Sequence, residues 1–268
     1  LVRDLFVALK IEKSQKISIW YQGYLEVNSF PEYQALLTEH IKAIQNKGVS
    51  INIHGMPKDF FLDTSPAEVT KYASSSMVFS NQILLNALKA EEQGYNGFAL
   101  GTIQNLGLIE TRSLVDIPVV GYGEAAMLKA SKSGKKFAVL AFNPNLLELI
   151  DYQIKASSFQ NNAIPSISLP LEYNDIIDAF QNPNKLISTF MSKMKEAKNN
   201  GVDIIIPGQM VLAELLWKNQ IYNAKGIEVI DAMKTTIDAI KLKILSKTET
   251  PKDGFWNATP PKKLKKLM

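Results

Sequence analysis

Short apolar runs alternate with amphipathic stretches along almost the whole chain. The apolar runs predict buried strands, and apolar residues spaced three to four positions apart predict helices with one buried face. Such alternation is typical of βα units around parallel sheets. The predicted strands are Ile17 to Tyr21, Val49 to His54, Gly97 to Gly101, Pro118 to Gly121, Phe137 to Phe142, Asp203 to Pro207 and Glu228 to Ile230.

The segments between the strands predict helices that each cover one sheet face. In the first long helix, which follows Pro31, the apolar stripe includes Tyr33 and His40, and we expect His40 to be a core or surface residue. The segment from Gln160 to Asn184 is rich in Asn, Pro and Ser and predicts an irregular connection with room for one short strand. The proline-containing tail after Leu245 is predicted to be non-helical, and either to wrap the body or to stay mobile.

One pattern occurs twice. Residues 94–102 (GYNGFALGT) and residues 201–209 (GVDIIIPGQ) each read as a capping glycine, a polar residue, an apolar strand, a second glycine and one polar side chain. Open parallel sheets bind ligands beyond the carboxyl ends of their strands. If the two copies face each other, Thr102 and Gln209 lie on opposite walls of a cleft; the alternative is that any doubly wound protein repeats such a pattern.

Composition narrows the chemistry. The chain has no cysteine, which excludes disulfides, thiolate metal sites and thiol nucleophiles. Two separated histidines without an evident carboxylate partner do not predict a metal site. The net charge is +4, but six lysines fall after Leu245, so the body is near neutral and nucleic acid is not an expected partner. No long apolar run predicts a membrane span and the start is unlike a signal peptide, so a cytoplasmic location is expected.

Several blocks resemble the hydantoin racemase branch of the aspartate/glutamate/hydantoin racemase superfamily, in the same order and spacing. They are AEEQGYNGFALGTIQNLGLIETRS, IPVVGYGEAAMLKAS, GKKFAVLAF, NNGVDIIIPGQMVLAELL and IEVIDAM. The resemblance covers residues 17–245 and implies two Rossmann-like α/β lobes with parallel sheets, related by a pseudo-twofold, around one active-site cleft. It also implies catalysis without a cofactor on a small carboxylate or amide compound.

The resemblance places the family's two catalytic cysteines at Thr102 and Gln209, the residues that the internal repeat also selects. A thiol has a pKa near 8.5, whereas a Thr hydroxyl is far less acidic and a Gln amide does not titrate in water. Proton transfer between two thiols is therefore excluded. Gln209 is nearly isosteric with Glu, and a natural or an engineered replacement of an acid would equally explain it.

Other strand ends and loops supply further candidates. His54 ends a strand and is the one candidate base of neutral pH, with a hydrogen-bonded structural histidine as the alternative. Asn105, Asn143 and Asp231 are candidates either for ligand contact or for helix capping. The predicted substrate-binding residues are Tyr21, Gln22, Ile103, Asn105, Asn143 and Met210.

The leading interpretation is a racemase-like or isomerase-like enzyme with Thr102, Gln209 and His54 as catalytic residues. The alternatives are a non-catalytic binding or accessory protein that keeps the fold, and a lyase or decarboxylase. We expect a first lobe of residues 1–117 and 226–268, a second lobe of residues 118–225, and a homo-oligomer.

Overall fold

The computed structural model describes residues 16–247 and 252–261. The start of the chain, predicted to be unlike a signal peptide, and the lysines from Lys262 onward lie outside the described residues. All seven predicted strands are confirmed. The strands are β1 (Ile17–Glu26), β2 (Val49–Met56), β3 (Gly97–Leu100), β4 (Val119–Gly121), β5 (Phe137–Ala141), β6 (Ile167–Ser168), β7 (Ile204–Pro207), β8 (Asn223–Ala224) and β9 (Ile227–Val229).

Helices connect these strands in βα units, as the alternation predicts. They are α1 (Pro31–Ile44), α2 (Pro66–Val69), α3 (Ser75–Glu92), α4 (Leu108–Leu114), α5 (Tyr122–Lys132), α6 (Pro144–Lys155), α7 (Tyr173–Asp178), α8 (Asn184–Asn199), α9 (Met210–Lys218), α10 (Ala232–Ser246) and α11 (Gly254–Asn257). Two short helices were not predicted: α7 lies in the segment expected to be irregular, and α11 lies in the tail.

The two sheets have equivalent strand orders. The first sheet is parallel throughout, in the order β2-β1-β3-β4. The second begins in the same way, with β6-β5-β7-β9, and adds β8 as an antiparallel edge strand. In each sheet the first strand along the chain is second in position and the third strand pairs beside it. The internal repeat in the sequence therefore corresponds to two related α/β lobes.

Two strands lie in the sheets opposite to those predicted. β4 pairs with β3 and belongs to the first sheet, although the predicted boundary at residue 118 assigned it to the second lobe. β9 pairs with β7 in the second sheet, although residues from 226 onward were assigned to the first lobe. Sequence periodicity shows where a strand lies but not which distant strand it pairs with. Helix α10 packs on the first sheet, because Ile240 and Ile244 lie directly over Gly97.

The lobes share one buried core. A single cluster of buried apolar residues runs from β1 and α1 of the first lobe to β5, β7 and α9 of the second. At the junction, the hydroxyl of Tyr122 donates a hydrogen bond of 2.6 Å to the carbonyl of Pro207.

Within the described ranges, no helix combines the length and the apolar character needed to cross a bilayer. The tail returns to the first lobe, where Lys252 donates to the carbonyls of Arg112 and Val115.

Candidate functional site

Equivalent glycines end the two repeated strands. The backbone nitrogen of Gly101, after β3, donates to the carbonyl of Gln22 at 2.9 Å, and that of Gly208, after β7, donates to the carbonyl of Leu140 at 2.7 Å. Each glycine is required by close packing, since a Cβ at Gly101 would overlap the ring of Tyr21 and a Cβ at Gly208 would lie 2.6 Å from that of Ala141. The chain then turns toward the gap between the lobes and presents the next side chain.

A cavity of about 120 Å³ lies where these two turns meet. Thr102 and Gln209 both line it, so the structure brings together the pair that the repeat selects. Ile103, Asn143 and Met210, three of the residues predicted to bind substrate, also line it. The remaining lining residues are Tyr24, Leu25, Phe30, Tyr33, Pro66, Thr70, Gly101, Gln104, Phe142, Leu146, Tyr173, Ile176, Ile177, Gly208 and Val211.

Each wall carries a buried polar atom without a hydrogen-bond partner among the described residues. On one wall this atom is Oγ1 of Thr102, a residue that is 5% exposed, and on the other it is Nε2 of Gln209. The carbonyl oxygen Oε1 of Gln209 is engaged, because it accepts a hydrogen bond of 3.3 Å from the backbone nitrogen of Phe142. This bond leaves the Gln209 amide nitrogen as the free donor of that wall.

The cavity is uncharged. Its lining residues, as far as the structure describes them, include no Asp, Glu, Lys, Arg or His. The ionisable groups that face it are tyrosines: burial raises the pKa of Tyr24 well above its usual value and, together with Glu214, does the same for Tyr33. Burial also raises the pKa of Tyr173. All three therefore remain neutral phenols at physiological pH, and can donate hydrogen bonds but do not act as bases.

Asn143 is both a helix cap and a link between the lobes. Its Oδ1 accepts from the backbone nitrogens of Asn145 and Leu146 at the start of α6, which is the capping role, while its Nδ2 donates to Oγ1 of Thr70 at 3.0 Å. Thr70 lines this cavity and also a second cavity of about 450 Å³. The Thr70–Asn143 bond thus lies at the boundary between the two cavities.

His54 does not reach the cavity, which corrects its prediction as a base. Its ring stacks on Trp20 at a centroid distance of 3.4 Å, and its Nε2 lies 3.1 Å from the hydroxyl of Tyr95. Burial, with a smaller contribution from Lys89, lowers the pKa of His54 to about 4, so the imidazole is neutral. Successive side chains of a strand point to opposite faces. β2 turns His54 into an aromatic cluster of the first lobe rather than into the cleft.

Tyr21 and Gln22 lie below the cavity and do not line it. Tyr21 is fully buried, and its ring packs against Gly101. Gln22 is also fully buried, and its Oε1 accepts hydrogen bonds from Trp20 at 3.0 Å and from Asn86 at 2.9 Å. Both residues support the strand end instead of contacting a ligand.

Asn105 is likewise a structural residue in this structure. It adopts a left-handed conformation, with φ of 51°, and its side chain packs against Gly121 and Gly123. Its Oδ1 accepts from the backbone nitrogen of Glu124 at 3.2 Å, so it caps α5 rather than the helix that directly follows it. The close approach is possible because Gly121 and Gly123 lack side chains.

Most of the apolar and aromatic lining residues could not be predicted from the sequence. Tyr33 was assigned to the buried stripe of α1, which is correct, but that stripe ends at the cavity. Tyr173 and Ile176 lie on α7, a short helix in the segment that its Asn, Pro and Ser content predicted to be irregular. An apolar side chain that faces a ligand has the same sequence signature as one that faces the core, and no residue pattern separates the two.

Comparison with known proteins supplies the family. A sequence model described as Asp/Glu/Hydantoin racemase matches residues 52–240. The hydantoin racemase of Pseudomonas sp. (strain NS671) is 22% identical over 169 residues, a match that spans 63% of this chain and 66% of the relative, or about two thirds of its length.

Two solved structures are similar in fold. The allantoin racemase from Klebsiella pneumoniae has a TM-score of 0.72 at 17% identity, with 92% of this chain and 94% of that chain covered. The allantoin racemase from Pseudomonas fluorescens has a TM-score of 0.69 at 16% identity, with coverage of 92% and 98%. Both confirm the two-lobe α/β architecture expected from the sequence.

Proposed function

Because the chain belongs to the Asp/Glu/hydantoin racemase family, we propose that it is a racemase-type isomerase that acts on a small neutral amide without a thiol or a cofactor. One observation carries the proposal: two unpartnered polar atoms, Oγ1 of Thr102 and Nε2 of Gln209, belong to residues that line one cavity and follow strands of different lobes. A buried polar atom without a partner costs about 1–3 kcal/mol. A ligand that supplies two partners removes that cost, so the cavity favours a polar molecule of matching shape.

The free atoms favour a ligand with carbonyl oxygens. The hydroxyl of Thr102 can donate or accept a hydrogen bond, and the amide nitrogen of Gln209 can only donate. A carboxylate bound here would lose its water without meeting a cationic side chain among the described lining residues, and burying an unpaired charge is costly. An amide carbonyl is satisfied by neutral donors. A neutral ring that carries amide groups therefore fits this cavity better than an amino acid does.

The chemistry follows from what the walls can and cannot do. Hydrogen bonds to the carbonyl oxygen stabilise the enolate that forms when the neighbouring carbon loses its proton. Neither Thr102 nor Gln209 can accept that proton, and the cavity tyrosines stay protonated. In our proposal the C–H bond breaks with transfer of the proton to hydroxide from solvent, and water returns a proton to either face. The rate then increases with hydroxide concentration.

The test uses one enantiomer of 5-methylhydantoin, and separately of allantoin, in heavy water. Proton NMR follows deuterium exchange at the chiral carbon, and polarimetry follows loss of optical rotation. The wild type is expected to accelerate both equally over buffer, and Thr102→Val and Gln209→Met are expected to return both rates to the buffer value. Thr235→Val is the matched control, because its hydroxyl is also buried and unpartnered in the described chain but lies on α10, away from the cavity.

A second candidate function is ligand binding without conversion. The specific observation that favours it is the lack of a lining side chain, among those described, that titrates near neutral pH. It predicts a ligand-dependent rise in melting temperature with no deuterium exchange. Exchange that persists unchanged in Thr102→Val would refute the isomerase proposal.

A further inference from the structure

A buried cluster of ionisable side chains lies behind the cavity and takes no part in the proposed reaction. Nδ1 of His40 lies 2.9 Å from Oε2 and 3.1 Å from Oε1 of Glu214, and Nε2 of His40 lies 3.2 Å from Oδ2 of Asp231. The His40 ring also stacks on Trp217 at 4.0 Å. His40 and Glu214 are both fully buried, and the side chain of Asp231 is partly buried, with 17% of its surface exposed.

The three groups come from elements of different lobes. His40 lies on α1, which connects strands of the first sheet, and Glu214 lies on α9, which connects strands of the second. Asp231 follows β9 of the second sheet and caps α10, which packs on the first. One imidazole therefore joins both lobes and the segment that passes between them.

Both helices extend from this cluster to the walls of the cavity. On α1, Tyr33 lies seven residues before His40, which is two helical turns and about 10 Å along the same face. On α9, Gln209 is the N-cap, five residues before Glu214. A helix moves as a rigid element over such short lengths, so a displacement of Glu214 relative to His40 also displaces Gln209 relative to the first lobe.

Stability alone does not account for such a cluster. Apolar side chains of similar size usually stabilise a buried site as well as an ion pair does, whereas removal of one partner leaves a charge buried without compensation. The best-attested effect of a buried ionic group is to fix one register between packed elements.

We propose that His40 is a positioning residue of the cleft, whose bonds to Glu214 and Asp231 fix the register of the two lobes and thereby the separation of the walls that carry Thr102 and Gln209.

The charge of the cluster makes this register depend on pH. Burial lowers the pKa of His40, but its hydrogen bonds to Asp231 and Glu214 outweigh burial and raise the pKa to about 9. Burial raises the pKa of Glu214, and the His40 hydrogen bond opposes that effect. The other ionisable groups of the described chain that interact with the cluster are Tyr21, Tyr33 and Tyr122, whose pKa values burial raises well above 10, and Tyr222, whose pKa burial and Asp231 raise. Near neutral pH, His40 is thus a cation between the side chains of Glu214 and Asp231, and it loses that charge above about pH 9.

The experiment measures the distance between the lobes directly and needs no ligand. Because the chain has no cysteine, Met77→Cys on α3 and Tyr152→Cys on α6 place one spin label on each lobe at sites that are 77% and 71% exposed. Pulsed electron spin resonance gives the distance distribution at pH 7 and at about pH 10. We expect one narrow population at pH 7, and a shift on the order of 2 Å, or a second population, at the higher pH.

Three variants in the labelled chain separate positioning from general stability. His40→Gln is expected to show the altered distribution at both pH values. The double variant His40→Leu with Glu214→Leu keeps a packed interface and is expected to lose the pH response of the distance. This double variant provides the test if His40→Gln does not fold. Lys234→Gln, which breaks the exposed Lys234–Asp238 pair on α10, is expected to behave as the wild type. A wild-type distribution that is identical at both pH values, or a pH response that survives in the Leu pair, would overturn the proposal.

Discussion

Replacement of Thr102 by valine should stabilise the protein while it removes ligand binding. The Thr102 hydroxyl is buried without a partner in the described chain, and valine has the same shape without the polar atom. A buried unsatisfied group costs about 1–3 kcal/mol, so Thr102→Val is expected to raise the free energy of unfolding by that amount in the absence of ligand. For a chain of this length the melting temperature should rise by roughly 2–10 °C.

The assay compares unfolding with and without a saturating probe ligand such as allantoin. The wild type should be stabilised by the ligand and Thr102→Val should not. Two threonines on α10, which does not line the cavity, serve as controls. Thr235→Val, which removes a second unpartnered hydroxyl, should stabilise without changing the response to ligand, whereas Thr236→Val should destabilise because its hydroxyl donates to the carbonyl of Ala232 at 2.8 Å. If Thr102→Val destabilises the ligand-free protein, its hydroxyl is satisfied and the reasoning behind the site fails.

Three further predictions concern the two histidines and one glycine. The folded-state pKa of His40 is raised from 6.5 to about 9, so its contribution to the free energy of unfolding, about 3 kcal/mol, is complete below pH 6.5 and lost as the pH rises through 9. Denaturant titrations should show this fall in the free energy of unfolding in the wild type, and no fall over the same pH range in His40→Gln. The pKa of His54 is lowered to about 4, so its contribution is present above pH 6.5 and lost as the pH falls toward 4, and acid titrations should show a smaller loss in His54→Phe. Gly101→Ala should destabilise the protein by about 1–3 kcal/mol in thermal unfolding, because the added Cβ would lie 2.5 Å from Cζ of Tyr21. If Gly101→Ala is as stable as the wild type, the close packing of Tyr21 on Gly101 is wrong.

The sequence predicts the strands, and it selects Thr102 and Gln209 at two of the strand ends, because both depend on local signals. A capping glycine, an apolar run and a second glycine specify a strand end wherever they occur, and two copies specify two equivalent ends. His54 could not be placed in the same way. Its strand is recognisable, but the choice of face depends on the stack with Trp20, a residue 34 positions earlier on a neighbouring strand.

The His40 cluster shows a second limit of sequence reasoning. On α1 the histidine occupies an apolar stripe, which indicates burial and nothing about charge. Its two carboxylate partners lie 174 and 191 residues further along the chain. Likewise, β4 and β9 were correctly identified as strands, but their sheets are decided by long-range pairing.

The bond between Thr70 and Asn143 lies beside both cavities. Thr70 lines both of them, so a molecule that moves past Thr70 from one cavity to the other passes beside this bond. Residues that contact a bound molecule set how tightly it is held, whereas residues beside its path set how quickly it enters and leaves. Selection among similar compounds can therefore be kinetic as well as thermodynamic, with the two kinds of selectivity assigned to different side chains and open to independent change.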